Sequence, residues 1–228
     1  MKIPRCYRMV TSTADSTTIQ LHIFVDASET GYAAIAYLKY QEGTVAECSL
    51  VSSKTKVSPL KYLSIPRSEL QAAVIGVRLA ETVSKSLSIR VKERFFWTDS
   101  KDVLCWLKSD HRRYNQYVAF RVSEILEASD IREWNWISTK QNVADEGTKW
   151  KGRPDLSASS RWFQGPAFLR KSPGDWPISD NHIGSTTDFV LTYFITPGSK
   201  NQLLILIASQ IGRSYYVAPL LFFAGCTT

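Results

Sequence analysis

The sequence predicts an α/β domain: a mixed five-stranded sheet flanked by helices, followed by an irregular C-terminal extension. Three observations predict it. Residues 19–53 hold three β-rich runs separated by short turn signals. At Pro66 the apolar period changes from two to that of a helix. From there to about residue 150, short apolar strands alternate with amphipathic helices, the pattern of helices packed on a sheet.

Each element follows from its residues. The run IQLHIFVD (19–26) is apolar and β-branched with polar residues interleaved. Gly31 begins a second run, 31–40, and a third covers about 44–53. Pro59 and Pro66 bracket a loop. Leu70, Ala73, Val74, Val77 and Ala80 recur at helical spacing, and Pro66 suits a first-turn position. RFFW (94–97) is a short strand ending at TDS, and KDVLCWLK (101–108) is a helix. NQYVAFRVSEILEA (115–128) is an amphipathic helix, and EWNWIS (133–138) is a strand. NVADEGTKW (142–150) opens a last helix, with Asn142 as its expected N-cap.

Composition bounds the partners. The chain of 228 residues carries 28 Lys and Arg against 21 Asp and Glu, a formal charge of +7. Such a surplus suits a phosphate-bearing partner, although ordinary soluble proteins also reach it. Cys6, Cys48, Cys105 and Cys226 are scattered and form no CxxC pair, which argues against zinc and against a disulfide framework. The expectation is reduced thiols in an intracellular setting, a cytoplasmic particle or the nucleus, and not secretion. The N-terminal residues contain no apolar run of signal-peptide length.

The expected organisation is a linker over 1–18, the α/β domain over 19–150, a Pro/Gly/Trp-rich extension over 151–182 and an apolar tail over 183–228. Lys200, Arg213, Pro197 and Pro219 interrupt the tail. Its longest clean stretch, LLILIA, is too short to span a bilayer, so no stable membrane insertion is expected. The tail reads as non-native or poorly ordered and dispensable to the fold.

Four carboxylates stand at element ends: Asp26 after the first strand, Glu69 early on the first long helix, Asp99 after RFFWT and Asp145 in the first turn of the last helix. If the first and fourth strands are neighbours, Asp26 and Asp99 project together. A lone Asp after a strand is ordinarily a turn or cap residue; the set of VDAS, RSEL, TDS and VAD is what points further. Converging carboxylates repel one another, and hard divalent cations relieve that repulsion. KSDHRR (108–113) gathers Lys108, Arg112 and Arg113, equally a phosphate-gripping patch or a solvated loop between helices. Trp97, Trp106, Trp134 and Trp136 read as core residues.

FVDAS (24–28), IPRSELQAA (65–73), FFWTDS (95–100), YVAFRVSEI (117–125), WNWISTKQNVADEGTK (134–149), WFQGPAFL (162–169) and DWP (175–177) together resemble the ribonuclease H-like domain of BEL/Pao-class retrotransposon polyproteins, over roughly residues 19–177. The resemblance implies a ribonuclease H-like fold and a Mg²⁺-dependent endonuclease that cuts the RNA strand of RNA–DNA hybrids. It implies two Mg²⁺ ions, with Mn²⁺ as a substitute, held by Asp26, Glu69, Asp99 and Asp145, with Asp26 shared between them. Ser28, Ser100, Lys108, Arg112 and Arg113 become the expected hybrid contacts, and the reverse transcriptase portion of the parent polyprotein the expected partner. The family is also labelled a peptidase, yet the chain has no Asp-Thr-Gly or Asp-Ser-Gly. Many ribonucleases H place a histidine in the loop before the last Asp; here that loop is STKQNVA. An inactive retrotransposon-derived fragment and a non-catalytic nucleic-acid-binding module of the same fold are the competing readings.

Overall fold

The computed structural model describes residues 17–61, 63–87, 90–110, 114–149, 155 and 157–177. The chain divides into two units, 1–180 and 181–228, and every described residue belongs to the first. The expectations for 1–16 and 183–228 lie outside the described residues, as do those for His111, Arg112 and Arg113.

The strands are β1 (Thr18–Ala27), β2 (Gly31–Glu42), β3 (Val45–Val57), β4 (Glu93–Thr98) and β5 (Trp134–Trp136). They form one sheet in the order β3-β2-β1-β4-β5. The first three make an antiparallel meander, and β4 and β5 add in parallel. The helices are α1 (Ile65–Ser86), α2 (Lys101–Lys108), α3 (Gln116–Ala128), α4 (Asp145–Thr148) and α5 (Arg161–Gln164). This is the mixed, helix-flanked sheet of the ribonuclease H-like fold, as the sequence predicts.

Strand parity divides the core. Leu21, Ile23 and Val25 of β1, Ala34, Ala36 and Leu38 of β2 and Phe96 of β4 face the long helix α1. Pro66 stands in its first turn as expected, where its missing N–H costs nothing. Gly76 lets α1 approach β1 closely: a Cβ there would lie 2.6 Å from Val25 Cγ1. The opposite parity, Phe24, Ile35, Tyr37 and Trp97, forms a second core with Phe168, Leu169 and Trp176. The segment after residue 157 is therefore part of the packing. Tyr37 donates its hydroxyl to the Trp162 carbonyl at 2.6 Å. Phe168 meets Trp97 edge to face with ring centroids 5.0 Å apart. Gly165, at φ 72°, ends α5 where a side chain would press on Cys48 Sγ.

One local expectation is corrected. Asn142 does not cap the last helix; Ala144 holds that position, and α4 begins at Asp145. The side chain of Asn142 points inward: its amide nitrogen donates to two longer-range acceptors, while its Oδ1 accepts from the Ala144 N–H at 3.2 Å.

Candidate active site

The cleft is built at the carboxyl ends of two neighbouring parallel strands. Phe24 pairs with Trp97 and Val25 with Thr98, so Asp26 and Asp99 leave the sheet side by side. Glu69 reaches the same place from the second turn of α1. Asp26, Glu69 and Asp99 line one cleft of about 570 Å³, together with Ser28, Thr148 and Lys149. Asp145 is not in that lining. It sits at the start of α4, where it pairs with Lys149, and its charge still acts on Asp26.

Each carboxylate has its own supports. Asp26 is nearly buried, at 3% exposure. Burial pushes its carboxyl up to about 6; the Thr148 hydroxyl opposes the shift, Asp99 adds to it, Lys149 opposes it and Asp145 adds to it. Thr148 donates to Asp26 Oδ2, and the Lys149 ammonium lies 3.9 Å from Oδ1. Burial pushes Glu69 up to about 7, opposed by the Ser100 hydroxyl and reinforced by Asp99, Asp102 and Asp26. Asp99 accepts from Thr139 Oγ1 at 2.6 Å and from Asn142 Nδ2 at 3.1 Å. Asn142 also donates to the Val25 carbonyl at 2.9 Å, so one buried amide ties Asp99 to the end of β1.

The remaining expected contacts fall in different places. Ser28 donates to the Thr148 carbonyl at 3.0 Å, on the cleft wall. Ser100 is buried and caps α2 by accepting from Val103 N–H at 3.3 Å. Lys108 is exposed at the far end of α2 and does not line the cleft. Trp97 and Trp134 are core residues, and Trp136 is half-buried with its Nε1 donating to the Asp99 carbonyl at 3.2 Å.

Sequence reasoning passes over Thr139, Asn142, Thr148 and Lys149 as functional residues. Their one signal is position, since all four lie within the WNWISTKQNVADEGTK run.

The donor chemistry fits a hard divalent cation. Three carboxylates share a cleft, and burial, reinforced by their mutual repulsion, raises the proton affinity of Asp26 and Glu69. In the arrangement described, no group of three His, Cys, Asp or Glu among the described residues stands ready to hold a metal ion. Among the described residues, the ammonium of Lys149 stands 3.9 Å from Asp26.

Residues 1–100 match the family described as a Pao retrotransposon-like RNaseH-like domain. The match takes in β1 to β4, α1 and three of the four carboxylates, and it stops before Asp145. No curated protein matches the chain. Among solved structures, the chain is similar to the N-terminal RNase H domain of a Mycobacterium tuberculosis protein, at 12% identity and TM-score 0.38, covering 56% of this chain and 89% of that one. It is similar to RNase H1 of the archaeon Halobacterium salinarum, at 13% identity and TM-score 0.35, covering 56% and 90%. It is also similar to LC11-RNase H1, isolated from compost and solved with an RNA/DNA hybrid, at 12% identity and TM-score 0.35, covering 57% and 92%. Among the described residues, no helix is long and apolar enough to cross a membrane.

Proposed function

We propose that the chain is a Mg²⁺-dependent endonuclease that cleaves the RNA strand of RNA–DNA hybrids, in the setting of retrotransposon reverse transcription. The observation that carries this reading is the cleft itself. Asp26, Glu69 and Asp99 converge at the carboxyl ends of β1 and β4, with Asp26 buried. The family match supports the same chemistry, and the charge of +7 suits a polyanionic substrate.

The residues divide the work. Asp26, Glu69 and Asp99 would hold the cation, with Asp145 on the Lys149 side. Mn²⁺ is the expected substitute. A divalent cation there supplies positive charge to the scissile phosphodiester and acidifies water. Thr139 and Asn142 fix the Asp99 carboxylate, and Thr148 fixes that of Asp26. Ser28 and Thr30 hold the Thr148 carbonyl, which sets the cleft wall. The reverse transcriptase portion of a parent polyprotein is the proposed partner.

The test is Asp26→Asn in the full chain, assayed on labelled RNA–DNA hybrid in Mg²⁺ and in chelator. The expected outcome is loss of cleavage with hybrid binding kept, since binding rests on Lys and Arg contacts to phosphates. Equal cleavage by both proteins overturns the assignment, and no cleavage by the unmodified chain favours the non-catalytic module or inactive fragment. Stability supplies a second readout. A carboxyl raised from 3.8 to about 6 makes the folded state the stronger proton binder. Its favourable contribution is full below pH 4 and lost as pH rises through 6. In chelator at pH 7.5, Asp26→Asn should therefore be more stable by on the order of 2 kcal/mol, with the difference fading towards pH 4.

A further inference from the structure

The two sides of the cleft are not equivalent. On one side, Glu69 and Asp99 are supported by neutral donors: the hydroxyls of Ser100 and Thr139 and the amide of Asn142. Among the described residues, neither forms an ion pair with Lys or Arg. On the other side, the Lys149 ammonium pairs with Asp145 Oδ1 and stands 3.9 Å from Asp26 Oδ1. Among the described residues, the Lys149 ammonium is within ion-pair distance of Asp145 and Asp26 and of neither Glu69 nor Asp99.

The backbone at Lys149 is fixed while its side chain is not enclosed. The Lys149 N–H donates to the Asp145 carbonyl at 2.9 Å. The preceding carbonyl, of Thr148, accepts from Ser28 at 3.0 Å and Thr30 at 3.3 Å. The same Thr148 donates to Asp26, so the segment is tied to β1 through its side chain and to the β1–β2 turn through its main chain. The Lys149 side chain is 39% exposed, whereas that of Asp26 is 2% exposed. A four-carbon stem with an open outer face lets the ammonium swing into water without moving the segment.

We propose that Lys149 is a built-in counter-cation of the cleft: its ammonium occupies the space between Asp26 and Asp145, and it must leave that space before a divalent cation can take those two carboxylates. This rests on the metal-dependent reading above and goes beyond it, because it makes the two cation positions unequal. The Glu69–Asp99 side accepts a divalent cation directly. The Asp145 side accepts one only in competition with Lys149, and so binds it more weakly. Lys149 also lets the chain fold with its carboxylates ionised when divalent cations are scarce, because a buried charge is costly without a partner. A merely structural ion pair, one turn along a short helix, would stabilise α4 and leave metal affinity alone.

The experiment is Mn²⁺ titration of the chelator-stripped full chain, followed by electron paramagnetic resonance of free Mn²⁺ and by calorimetry. The proteins are the unmodified chain, Lys149→Met, Lys149→Gln, Lys149→Arg and Asp145→Asn. The unmodified chain should bind Mn²⁺ at one stronger and one weaker position. Lys149→Met and Lys149→Gln should tighten the weaker position by about tenfold, equivalent to about 1.4 kcal/mol. Lys149→Arg keeps the charge and should behave as the unmodified chain, and Asp145→Asn should lose the weaker position. Unchanged or weaker Mn²⁺ binding in both neutral variants overturns the proposal while leaving the metal-dependent reading intact. Mn²⁺ bound by none of the five proteins overturns both. If Lys149→Met fails to fold, Lys149→Gln alone decides, since its shorter polar side chain can still donate to Asp145.

Discussion

The two faces of the sheet are sealed by different means. Under α1 the surface is aliphatic and small, with Leu21, Ile23, Val25, Ala34 and Ala36 meeting Ala73, Val77 and Ala80 of one 22-residue helix. The other face is aromatic and partly polar. Phe24, Tyr37 and Trp97 lie beside the buried His22 and Lys39, and their cover is short turns carrying Phe168, Leu169 and Trp176. His22 stacks on Phe95 with ring centroids 4.9 Å apart and accepts from Trp97 Nε1 at 3.2 Å. Lys39 donates to the Lys171 carbonyl at 3.3 Å, with its ammonium 4.7 Å from the centre of the Trp176 ring. The difference shows that polar residues at every second place do not by themselves expose a face. Alternation usually marks a strand with one wet side, but here the polar parity is buried as well.

The largest test of this contrast is removal of the cover. A chain ending at residue 156 loses Phe168, Leu169 and Trp176 and opens Phe24, Tyr37 and Trp97 to water. Truncating a single large core residue costs roughly 2–5 kcal/mol, and a domain has only about 5–15 kcal/mol in total. The 1–156 chain should show no cooperative melting transition. A 1–182 chain keeps the whole cover, and we propose that it melts as the full chain does. Scanning calorimetry on the two truncations decides it. A cooperative 1–156 chain would mean that the aromatic face is stable uncovered.

What was legible in the sequence follows the same division. The strand and helix order through α3 was readable because each element carries its own period, and Pro66 stands where a first turn wants it. Asp26, Glu69 and Asp99 were readable as a group because a strand end and a helix start are predictable places. The partners of those carboxylates were not. Thr148 touches Asp26 across 122 residues, and Asn142 reaches back 117 residues to the Val25 carbonyl. No local pattern encodes such pairings. Asn142 reads locally as a helix cap, and only the parallel pairing of β4 with β5 brings Asp99 within its reach. The cover of the aromatic face was equally hidden, since turns of three or four residues have no period to detect.

His22 tests the polar side of the contrast with a smaller effect. It is wholly buried, and burial together with the Lys39 charge lowers its pKa to about 3. The folded state therefore binds fewer protons than the unfolded state between pH 6.5 and 3. Stability must fall as pH drops through that window. From pH 6.5 to 4.5 the loss from this residue is about 2–3 kcal/mol. Asp26 and Glu69 act in the opposite direction, because their pKa values are raised, but they act equally in a His22→Phe chain. Urea denaturation of the two chains at both pH values isolates the histidine. The variant will be weaker overall, having lost the acceptor for Trp97 Nε1, but its stability should decline less with acid. Identical pH slopes would mean that His22 is not held neutral by burial.

Gly76 tests the aliphatic face, and its effect is the smallest. In an exposed helix interior, Gly→Ala is stabilising by roughly 0.5–1 kcal/mol, because alanine restricts the unfolded chain. At Gly76 the new Cβ would lie 2.6 Å from Val25 Cγ1 and 3.4 Å from Ile23 Cγ2. Val25 is β-branched, buried and fixed in the central strand β1, so its methyl cannot swing aside. Overpacking of this kind costs about 1–3 kcal/mol, which outweighs the helix gain. Gly76→Ala should therefore lower stability by about 1 kcal/mol. Because Val25 precedes Asp26, the strain is placed next to the cleft. Val25→Ala removes the obstructing methyls, so Gly76→Ala should become neutral or stabilising in that background. The coupling measured by the double-mutant cycle should be at least about 1 kcal/mol. Additive effects of the two substitutions would show that α1 is not held at contact distance from β1 and can move away to admit a methyl group.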